Sequence, residues 1–264
     1  MKPYLKTIIL VVVIVVIALG AYYGRLLIKD KTEESAADET AVETAEPAAA
    51  ETLKTPEDAQ KHVQALLKKA AAGADPNPVV GVGRGTDFDT VTRKAVENAG
   101  GLKNIIKPGD SVLIKPNMIM MASPEEAVIT DYRVVQSLID QAIEAGAGKV
   151  YVGDGSPWGR VLQNPVCGYT ELKNCEIVDF NDCKKEDCYQ LQPLSPLVPK
   201  QVYNIPKIYM DVDVVICAAK LKTHSDATVT LTLKNAFGVP PVGNDALGIG
   251  KTYLHSNGLS NSIV

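Results

Sequence analysis

Residues 131–152 read DYRVVQSLIDQAIEAGAGKVYV, and this segment carries the strongest structural signal in the chain. Its apolar residues recur every three or four positions and form one helix face: Val134, Val135, Leu138, Ile139, Ala142 and Ile143. The pattern predicts a helix over residues 131–145, with Thr130 as its N-cap and Gly146 as its stop. Residues 149–152 then have the composition of a strand.

A second strand is predicted before this helix, at residues 111–114, SVLI. Strand, helix and strand in this order predict a βαβ unit with parallel strands and a right-handed crossover. Further apolar runs of strand length lie at residues 79–82, 176–180 and 212–219. The chain is therefore predicted to be an α/β protein with a mostly parallel sheet of about five strands flanked by helices.

Three more helices are expected around this sheet. Residues 56–72 have the spacing of an entry helix, and residues 87–99 have that of an amphipathic helix closed by two glycines. Residues 228–237 allow two interpretations, because their first half alternates like a strand while their second half and Gly238 fit the end of a helix. We predict the helix.

The composition of the chain limits the kinds of molecule that it can bind. The 264 residues are 46% hydrophobic and 22% charged, with a formal net charge of −4. A chain of this size and composition can bury a core. It has no overall positive charge to attract a phosphate backbone, so we predict no nucleic-acid partner and expect any anion site to be local.

An uncharged apolar segment near the N-terminus predicts membrane attachment. Residues 7–24 contain no charge and reach the length that a membrane-spanning helix needs. We predict a single-pass membrane anchor within residues 1–31, through which the protein would be attached to the membrane. A cleaved signal peptide is the alternative, because the small residues at 18–21 resemble a cleavage site.

An acidic tether follows the anchor. Residues 32–51 read TEESAADETAVETAEPAAAE and contain almost no large apolar side chain. Such a segment cannot offset its chain entropy by burial, so residues 32–55 are predicted to be a disordered spacer. The remaining residues, 56–264, form the predicted α/β domain.

Four cysteines in a short polar stretch give information about the cellular compartment of the domain. Cys167, Cys175, Cys183 and Cys188 are separated by seven, seven and four residues, which matches neither a zinc ribbon nor a ferredoxin cluster. We predict two disulfides and therefore an extracytoplasmic domain, with free thiols and a metal site as alternatives. Cys217 lies in an apolar run and is predicted to be a buried thiol.

Polar residues follow three of the predicted strands. Parallel strands place their carboxyl ends at one edge of a sheet, where ligands of such sheets bind. The residues that would meet there are Lys115, Asn117, Asp154, Ser156, Lys220, Lys222 and His224. Ammonium groups, hydroxyls and glycine amides are the parts from which phosphate and carboxylate sites are built.

Each of these residues also has a purely structural interpretation. Lys115 could reach solvent at a strand end before Pro116, Asp154 could belong to a turn with Gly155, and His224 could be a hydrogen-bonded loop residue. The glycines of residues 81–85 lack the full spacing of a dinucleotide fingerprint. The sequence contains no phosphate-loop, G-x-S-x-G or H-E-x-x-H motif.

Four motifs in order resemble a known family: VLIKPN at 112–117, VYVGDGSPWG at 150–159, LKTH at 221–224 and LKNAFGVPP at 233–241. Together they look like the domain-of-unknown-function 362 family over residues 79–264. The family's characteristic polar positions would be Lys115, Asn117, Asp154, Lys220, Lys222, His224, Lys234, Asn235 and His255. The resemblance implies no established reaction.

Two features of relatives bear on this chain. Some relatives carry ferredoxin-type iron–sulfur segments, but this sequence has no C-x-x-C-x-x-C run, so no cluster is carried over and the cofactor stays unknown. Family members typically continue beyond the position of Val264 with another sheet-forming segment. We therefore expect the chain to be a fragment of a longer gene.

The leading hypothesis is a domain that binds or transforms a small anionic ligand, a carboxylate or a phosphate. His224 would transfer a proton, because an imidazole titrates near neutral pH, and Lys222 would act beside it. The alternatives are a ligand-binding module without catalysis and a metal-binding domain using Asp154, His224 and His255. The sequence does not decide whether the chain is an enzyme.

Overall fold

A computed structural model of the chain describes residues 8–10, 61, 79–191 and 203–242. The strands are β1 (Ile8–Leu10), β2 (Ser111–Pro116), β3 (Lys149–Asp154), β4 (Glu176–Asp179), β5 (Cys188–Leu191), β6 (Tyr203–Pro206), β7 (Val214–Ala218), β8 (Lys222–His224) and β9 (Thr228–Thr230). The α-helices are α1 (Phe88–Asn98), α2 (Tyr132–Glu144), α3 (Lys207–Asp211) and α4 (Thr232–Ala236). Short 3-10 turns connect several of these elements.

A parallel sheet is the centre of the fold. Strands β7, β2, β3 and β4 lie side by side in that order, and the backbone of β1 pairs with the outer edge of β7. Strand β2 is buried over Val112–Pro116 and β7 over its whole length. Val112–Ile114 of β2 and the whole of β7 read as continuous apolar runs because both faces of these strands are covered. The predicted α/β class with a parallel sheet and flanking helices is confirmed.

Helix α2 covers one face of the sheet. Its buried residues Val135, Leu138 and Ile139 belong to the same core cluster as Val112 and Val152. A second cluster, which includes Leu113, Phe180 and Val215, lies on the opposite face. Helix α1 packs beside α2, where Arg93 forms an ion pair of 2.8 Å with Glu144. The helices predicted at residues 87–99 and 131–145 are thus confirmed.

The N-cap of α2 is Asp131, and the prediction of Thr130 was wrong. The Asp131 carboxylate accepts a hydrogen bond from the backbone N–H of Arg133. The Thr130 hydroxyl is used elsewhere: it donates to the carbonyl of Ala218 at 2.6 Å and accepts from the backbone N–H of Asn117 at 2.9 Å. Thr130 therefore joins the ends of β2 and β7.

The strand predicted at residues 79–82 is not formed. This segment packs closely against α1. A Cβ on Gly81 would collide with the carbonyl oxygen of Ala95, so only glycine allows so close an approach. The side chain of Asn98 donates to the carbonyl of Val82 at 2.9 Å. An apolar run alone could not distinguish a sheet strand from an extended segment on a helix.

Residues 228–237 contain both of the structures between which the sequence left a choice. β9 pairs antiparallel with β8, so the helix prediction is wrong for the first three residues. Helix α4 follows after Leu231, whose backbone is extended. The hairpin is closed at Thr228, which has a φ of 64°. The long-range pairing with β8 decides the strand half.

All five cysteines are free, so the structure contains none of the predicted disulfides. Cys167 is fully buried in the main core and Cys175 packs against it, where thiols serve as small apolar side chains. A hydrogen bond with Cys188 lowers the pKa of the Cys183 thiol. The extracytoplasmic location, which rested on the disulfides, loses this support.

Several predictions concern residues that lie outside the described part of the structure. Of the predicted membrane span at residues 7–24, only Ile8–Leu10 are described, as strand β1 beside β7. The other residues of the span lie outside the described ones, so the span stays a prediction. The tether at 32–55 and, apart from Lys61, the entry helix at 56–72 also lie outside them. Within the described part of the chain, no helix is long and apolar enough to cross a membrane.

Candidate functional site

The carboxyl ends of β2, β3 and β7 meet at one edge of the sheet. Lys115 lies opposite Cys217 in the register of β2 and β7, and Asp154 is the last residue of β3. The chain leaves the sheet at this edge in every one of these strands, because all are parallel. This is the edge where ligands of parallel sheets bind.

A buried ion pair lies at this edge. The Lys115 ammonium is 2.7 Å from Oδ1 of Asp154, and the two side chains are 1% and 5% exposed. The same carboxylate accepts hydrogen bonds from the backbone N–H groups of Met118, at 2.7 Å, and Gly155, at 2.8 Å. Lys115 also donates to the carbonyl of Pro116 at 3.0 Å. Such complete pairing is what a buried charge requires.

Asn235 of α4 joins this pair to the helix. Its Oδ1 accepts from the Lys115 ammonium at 3.4 Å and from Nδ2 of Asn117 at 3.1 Å. Its Nδ2 donates to the Lys115 carbonyl at 3.3 Å and to the Cys217 sulfur at 3.2 Å. Lys115, Asp154 and Asn235 are called the buried polar cluster below.

A cavity of about 380 Å³ opens beside this cluster, within the usual volume range of small-molecule sites. Its lining residues are Asn117, Met118, Ile119, Asp154, Gly155, Ser156, Pro157, Trp158, His224, Lys234, Asn235, Phe237, Gly238 and Val242. Six residues selected from the sequence therefore share one cavity: Asn117, Asp154, Ser156, His224, Lys234 and Asn235.

Lys234 brings a partly buried positive charge to the cavity. Its ammonium lies 5.4 Å from the centre of the Phe237 ring. Within the described residues it has no ion pair with a carboxylate. Burial, and then the charge of Lys115, lowers the pKa of Lys234 below the usual lysine value. A counter-ion from a ligand would relieve both effects.

His224 holds a defined tautomer. Its Nδ1 accepts hydrogen bonds from the backbone N–H groups of Asp226, at 3.1 Å, and Ala227, at 3.2 Å. A ring nitrogen that accepts carries no proton, so Nε2 carries the proton of the neutral imidazole.

Ser156 and Asn117 play different parts in the lining. The Ser156 hydroxyl donates to the carbonyl of Ile119 at 3.1 Å and accepts from the N–H of Trp158 at 3.2 Å, so it positions the loop after β3. Oδ1 of Asn117 is buried and accepts no hydrogen bond from any described residue. A donor on a ligand, or a water molecule, would complete its hydrogen bonding.

The structure does not bring Lys222 or Lys220 into the cavity lining. The Lys222 ammonium donates to the carbonyl of Val128 at 2.6 Å and so fastens the β8–β9 hairpin to another loop. Burial, and then the charges of Lys234 and Lys220, lowers the pKa of Lys222. Both lysines therefore add positive charge near the cavity without lining it.

The metal hypothesis finds no ligand set in the described residues. Among residues 79–191 and 203–242, no three His, Cys, Asp or Glu side chains are grouped so that they could hold a metal ion. Asp154 is already paired with Lys115. His255, the third candidate ligand, lies outside the described residues.

Sequence reasoning missed two features of the site. Gly238 was interpreted as a helix stop, yet a Cβ there would lie 2.6 Å from Oδ1 of Asp154 and 2.7 Å from the Lys115 ammonium. Trp158, which was quoted only as part of a motif, lines the cavity with a side chain 68% exposed. The motif LKNAFGVPP contained the signal for Gly238, but only the fold showed its neighbours.

Comparison with known proteins places the site within a family. Residues 112–264 match the family described as Domain of unknown function (DUF362), and a match from residue 79 stays a prediction. The chain is 35% identical over 156 residues to the "Thylakoid-associated protein sll1697" of Synechocystis sp.. This covers 56% of the chain and 45% of the relative, so the chain spans less than half of that protein. No solved structure matches the chain.

Proposed function

We propose that this chain, which belongs to the DUF362 family, binds a small anion, a carboxylate or a phosphate, in the cavity beside Lys234. The observation that carries the proposal is the ammonium of Lys234, which is partly buried and has no carboxylate partner among the described residues. A desolvated charge of this kind is stabilised when a ligand supplies the opposite charge.

The surrounding charges favour an anion over a cation. Burial, and then the charge of Lys115, lowers the pKa of Lys234, while the charges of Asp154 and Asp226 act in the opposite direction. Burial, and then the charges of Lys234 and Lys220, lowers the pKa of Lys222. The Asp154 carboxylate, which could attract a cation, already binds Lys115 and two backbone N–H groups. We therefore infer that positive charge predominates beside Lys234 although the net charge of the whole chain is negative.

Neutral polar residues lie beside Lys234. Asn117 and His224 line the same cavity, and the buried Oδ1 of Asn117 would accept a hydrogen bond from a donor on the ligand. His224 is also the proposed proton-transfer group if the ligand is transformed rather than only bound. An enzyme would release an altered product over repeated turnovers, whereas a binding module would release its ligand unchanged.

Membrane attachment is the second part of the proposal. Residues 7–24 are uncharged and apolar, and the relative from Synechocystis is named as thylakoid-associated. We propose that these residues tether the α/β domain to a membrane through the acidic segment 32–55. In that state Ile8–Leu10 would lie in the membrane and not beside β7. The side of the membrane stays a prediction from the sequence.

The proposal is tested by calorimetric titration of the chain with benzoate, acetate and inorganic phosphate. Lys234→Met should weaken the binding of a bound anion at least about tenfold, because it removes a charge-assisted hydrogen bond. Lys94→Met is the matched control, since it removes an exposed ammonium on α1 that pairs with Glu97. Equal effects of the two variants would show that only net charge matters and would contradict the proposed site.

A further inference from the structure

We infer that the ligand of this cavity joins its anionic group to a flat ring, and that the indole of Trp158 stacks on that ring. The inference rests on the proposed anion site and specifies the chemical class of its ligand. It names aromatic and heteroaromatic carboxylates or phosphates rather than inorganic anions or short aliphatic acids.

The size of the cavity is the first argument. A volume of about 380 Å³ is many times the ~30 Å³ that one water molecule takes in the liquid, and a phosphate or acetate ion would leave most of it empty. Sites of this volume normally enclose most of an organic molecule. The charged group of the ligand must therefore carry a sizeable body.

The lining indicates that this body is apolar. Met118, Ile119, Pro157, Phe237 and Val242 contribute to the cavity wall, together with a few polar groups. A mostly apolar wall with a small number of placed polar groups is the usual composition of sites for organic ligands. Lys234 lies over the Phe237 ring, so the cation and an apolar surface are adjacent.

Trp158 supplies a flat surface that is still open. Its side chain is 68% exposed although it lines the cavity, so a large aromatic face remains in contact with water. Burying such a face against a ligand ring is favourable, and offset aromatic stacking adds to the gain from area alone. The indole is therefore suited to cover a ring that occupies the cavity.

The loop that carries Trp158 is fixed rather than loosely attached. The N–H of Trp158 donates to the hydroxyl of Ser156, and that hydroxyl donates to the carbonyl of Ile119. Nδ2 of Asn181 donates to the carbonyl of Ser156 at 2.7 Å, and Oδ1 of Asn181 accepts from the N–H of Val242. These bonds hold the start of the loop to both sides of the cavity, so stacking requires little further ordering of the backbone.

The test compares three carboxylates by calorimetry: benzoate, cyclohexanecarboxylate, which is similar in size but not flat, and acetate. We expect benzoate to bind about 3- to 10-fold more tightly than cyclohexanecarboxylate, the range that stacking beyond area burial supplies. Phenyl phosphate, compared with inorganic phosphate, distinguishes phosphates from carboxylates. Trp158 is the single tryptophan of the chain, so its fluorescence should change on benzoate binding.

The variants Trp158→Ala and Trp158→Phe make the test specific. Trp158→Ala should abolish the preference for benzoate and leave the weak binding of acetate unchanged, whereas Trp158→Phe should keep part of the preference. Equal affinities for benzoate and cyclohexanecarboxylate in the natural chain, or an undiminished preference in Trp158→Ala, would overturn the stacking inference. Loss of all binding in Trp158→Ala would also overturn it, since acetate does not need the ring.

The outcome separates this inference from the proposed function. If Lys234→Met weakens every anion tenfold but no probe shows a preference for rings, the anion site stands and the ring inference fails. If none of the anions binds, both fail. If ring compounds bind equally well to Lys234→Met, the anion site is overturned, and the inference about its ligand, which rests on that site, is overturned with it.

Discussion

Lys115 and Lys234 carry the same charge at the same edge of the sheet, yet the fold surrounds them differently. Lys115 is 1% exposed and its charge is neutralised by Asp154 at 2.7 Å. Lys234 is partly buried, faces the cavity and has only the Phe237 ring as a close partner for its charge among the described residues. A lysine at this edge of the sheet can therefore stabilise the fold or bind a ligand, and the groups around its ammonium determine which of the two roles it has.

The buried polar cluster therefore belongs to the framework of the site. Asp154 and Asn235 line the cavity, but their polar atoms are already bonded to Lys115, to backbone groups and to Asn117. On the open side of the cavity, the ammonium of Lys234 is left to meet the ligand. If this division is right, changes in the cluster should affect stability first, and changes at Lys234 should affect affinity first.

The largest effect should come from the removal of one partner of the buried pair. Lys115→Met leaves the Asp154 carboxylate buried without a counter-charge, and we expect a loss of about 3–5 kcal/mol in the free energy of unfolding. Urea denaturation of the chain measures it. Arg160→Ala is the control, because it breaks an exposed pair with Asp182 and should change stability by less than about 1 kcal/mol. Similar losses in both variants would show that burial of the pair is unimportant.

A smaller effect is expected from filling the space that Gly238 leaves. Gly238→Ala would place a Cβ 2.6 Å from Oδ1 of Asp154, and such overpacking typically costs about 1–3 kcal/mol. The free energy of unfolding measures the effect.

Gly101→Ala is the matched control for Gly238→Ala. Gly101 has a φ of 75° and no atom near its Cβ position, so this variant reports backbone strain without a collision. We expect Gly238→Ala to lower ligand affinity as well, whereas Gly101→Ala, which lies outside the cavity lining, should affect stability alone. Unchanged stability and affinity in Gly238→Ala would mean that the cluster has room for a methyl group.

The pH dependence of binding tests whether the Lys234 ammonium binds the anion. Lys234 binds an anion only while protonated, and its pKa is lowered, so affinity for benzoate should be constant at lower pH and fall as pH rises through that lowered pKa. The fall should come at lower pH than an ordinary lysine would give. Lys234→Arg stays charged throughout and should remove the fall. Calorimetric titrations between neutral and alkaline pH would show an unchanged fall in Lys234→Arg if another group were responsible.

The smallest effect should come from Lys222, which the sequence suggested as a catalytic residue. Lys222→Gln loses the hydrogen bond to the carbonyl of Val128, so unfolding should become easier by about 1 kcal/mol. Its ammonium lies outside the cavity lining, so affinity for benzoate should fall less than threefold. A tenfold fall, as large as that expected for Lys234→Met, would place Lys222 in the site.

Much of the fold could be predicted because its signals are local. The helix over residues 131–145 and the strand at 111–114 show their periodicity within a single short window. The strand predicted at residues 79–82 failed because the same apolar pattern also fits a segment that glycines bring onto α1. Residues 228–230 became a strand because β8 lies beside them, which no local window contains.

The candidate site was predictable in composition but not in arrangement. The rule that parallel strands end at one edge explains why Asn117 and Asp154 share a cavity. Lys234 lies on helix α4, and only the family resemblance pointed to it. The rule does not reveal that Lys115 pairs with Asp154, 39 residues away, or that Asn235 reaches Lys115 across 120 residues. It also does not reveal that the Lys222 ammonium donates a hydrogen bond to the carbonyl of Val128.

The α/β class, the order of the central elements, the family and the set of polar residues at the strand ends can be read from the amino-acid sequence alone. They follow from the spacing and composition of neighbouring residues. The fold was needed to show which lysine is neutralised, why residue 238 is glycine and where Trp158 presents its ring. These depend on contacts between residues distant along the chain, and such contacts exist only after the sheet has brought its strand ends together.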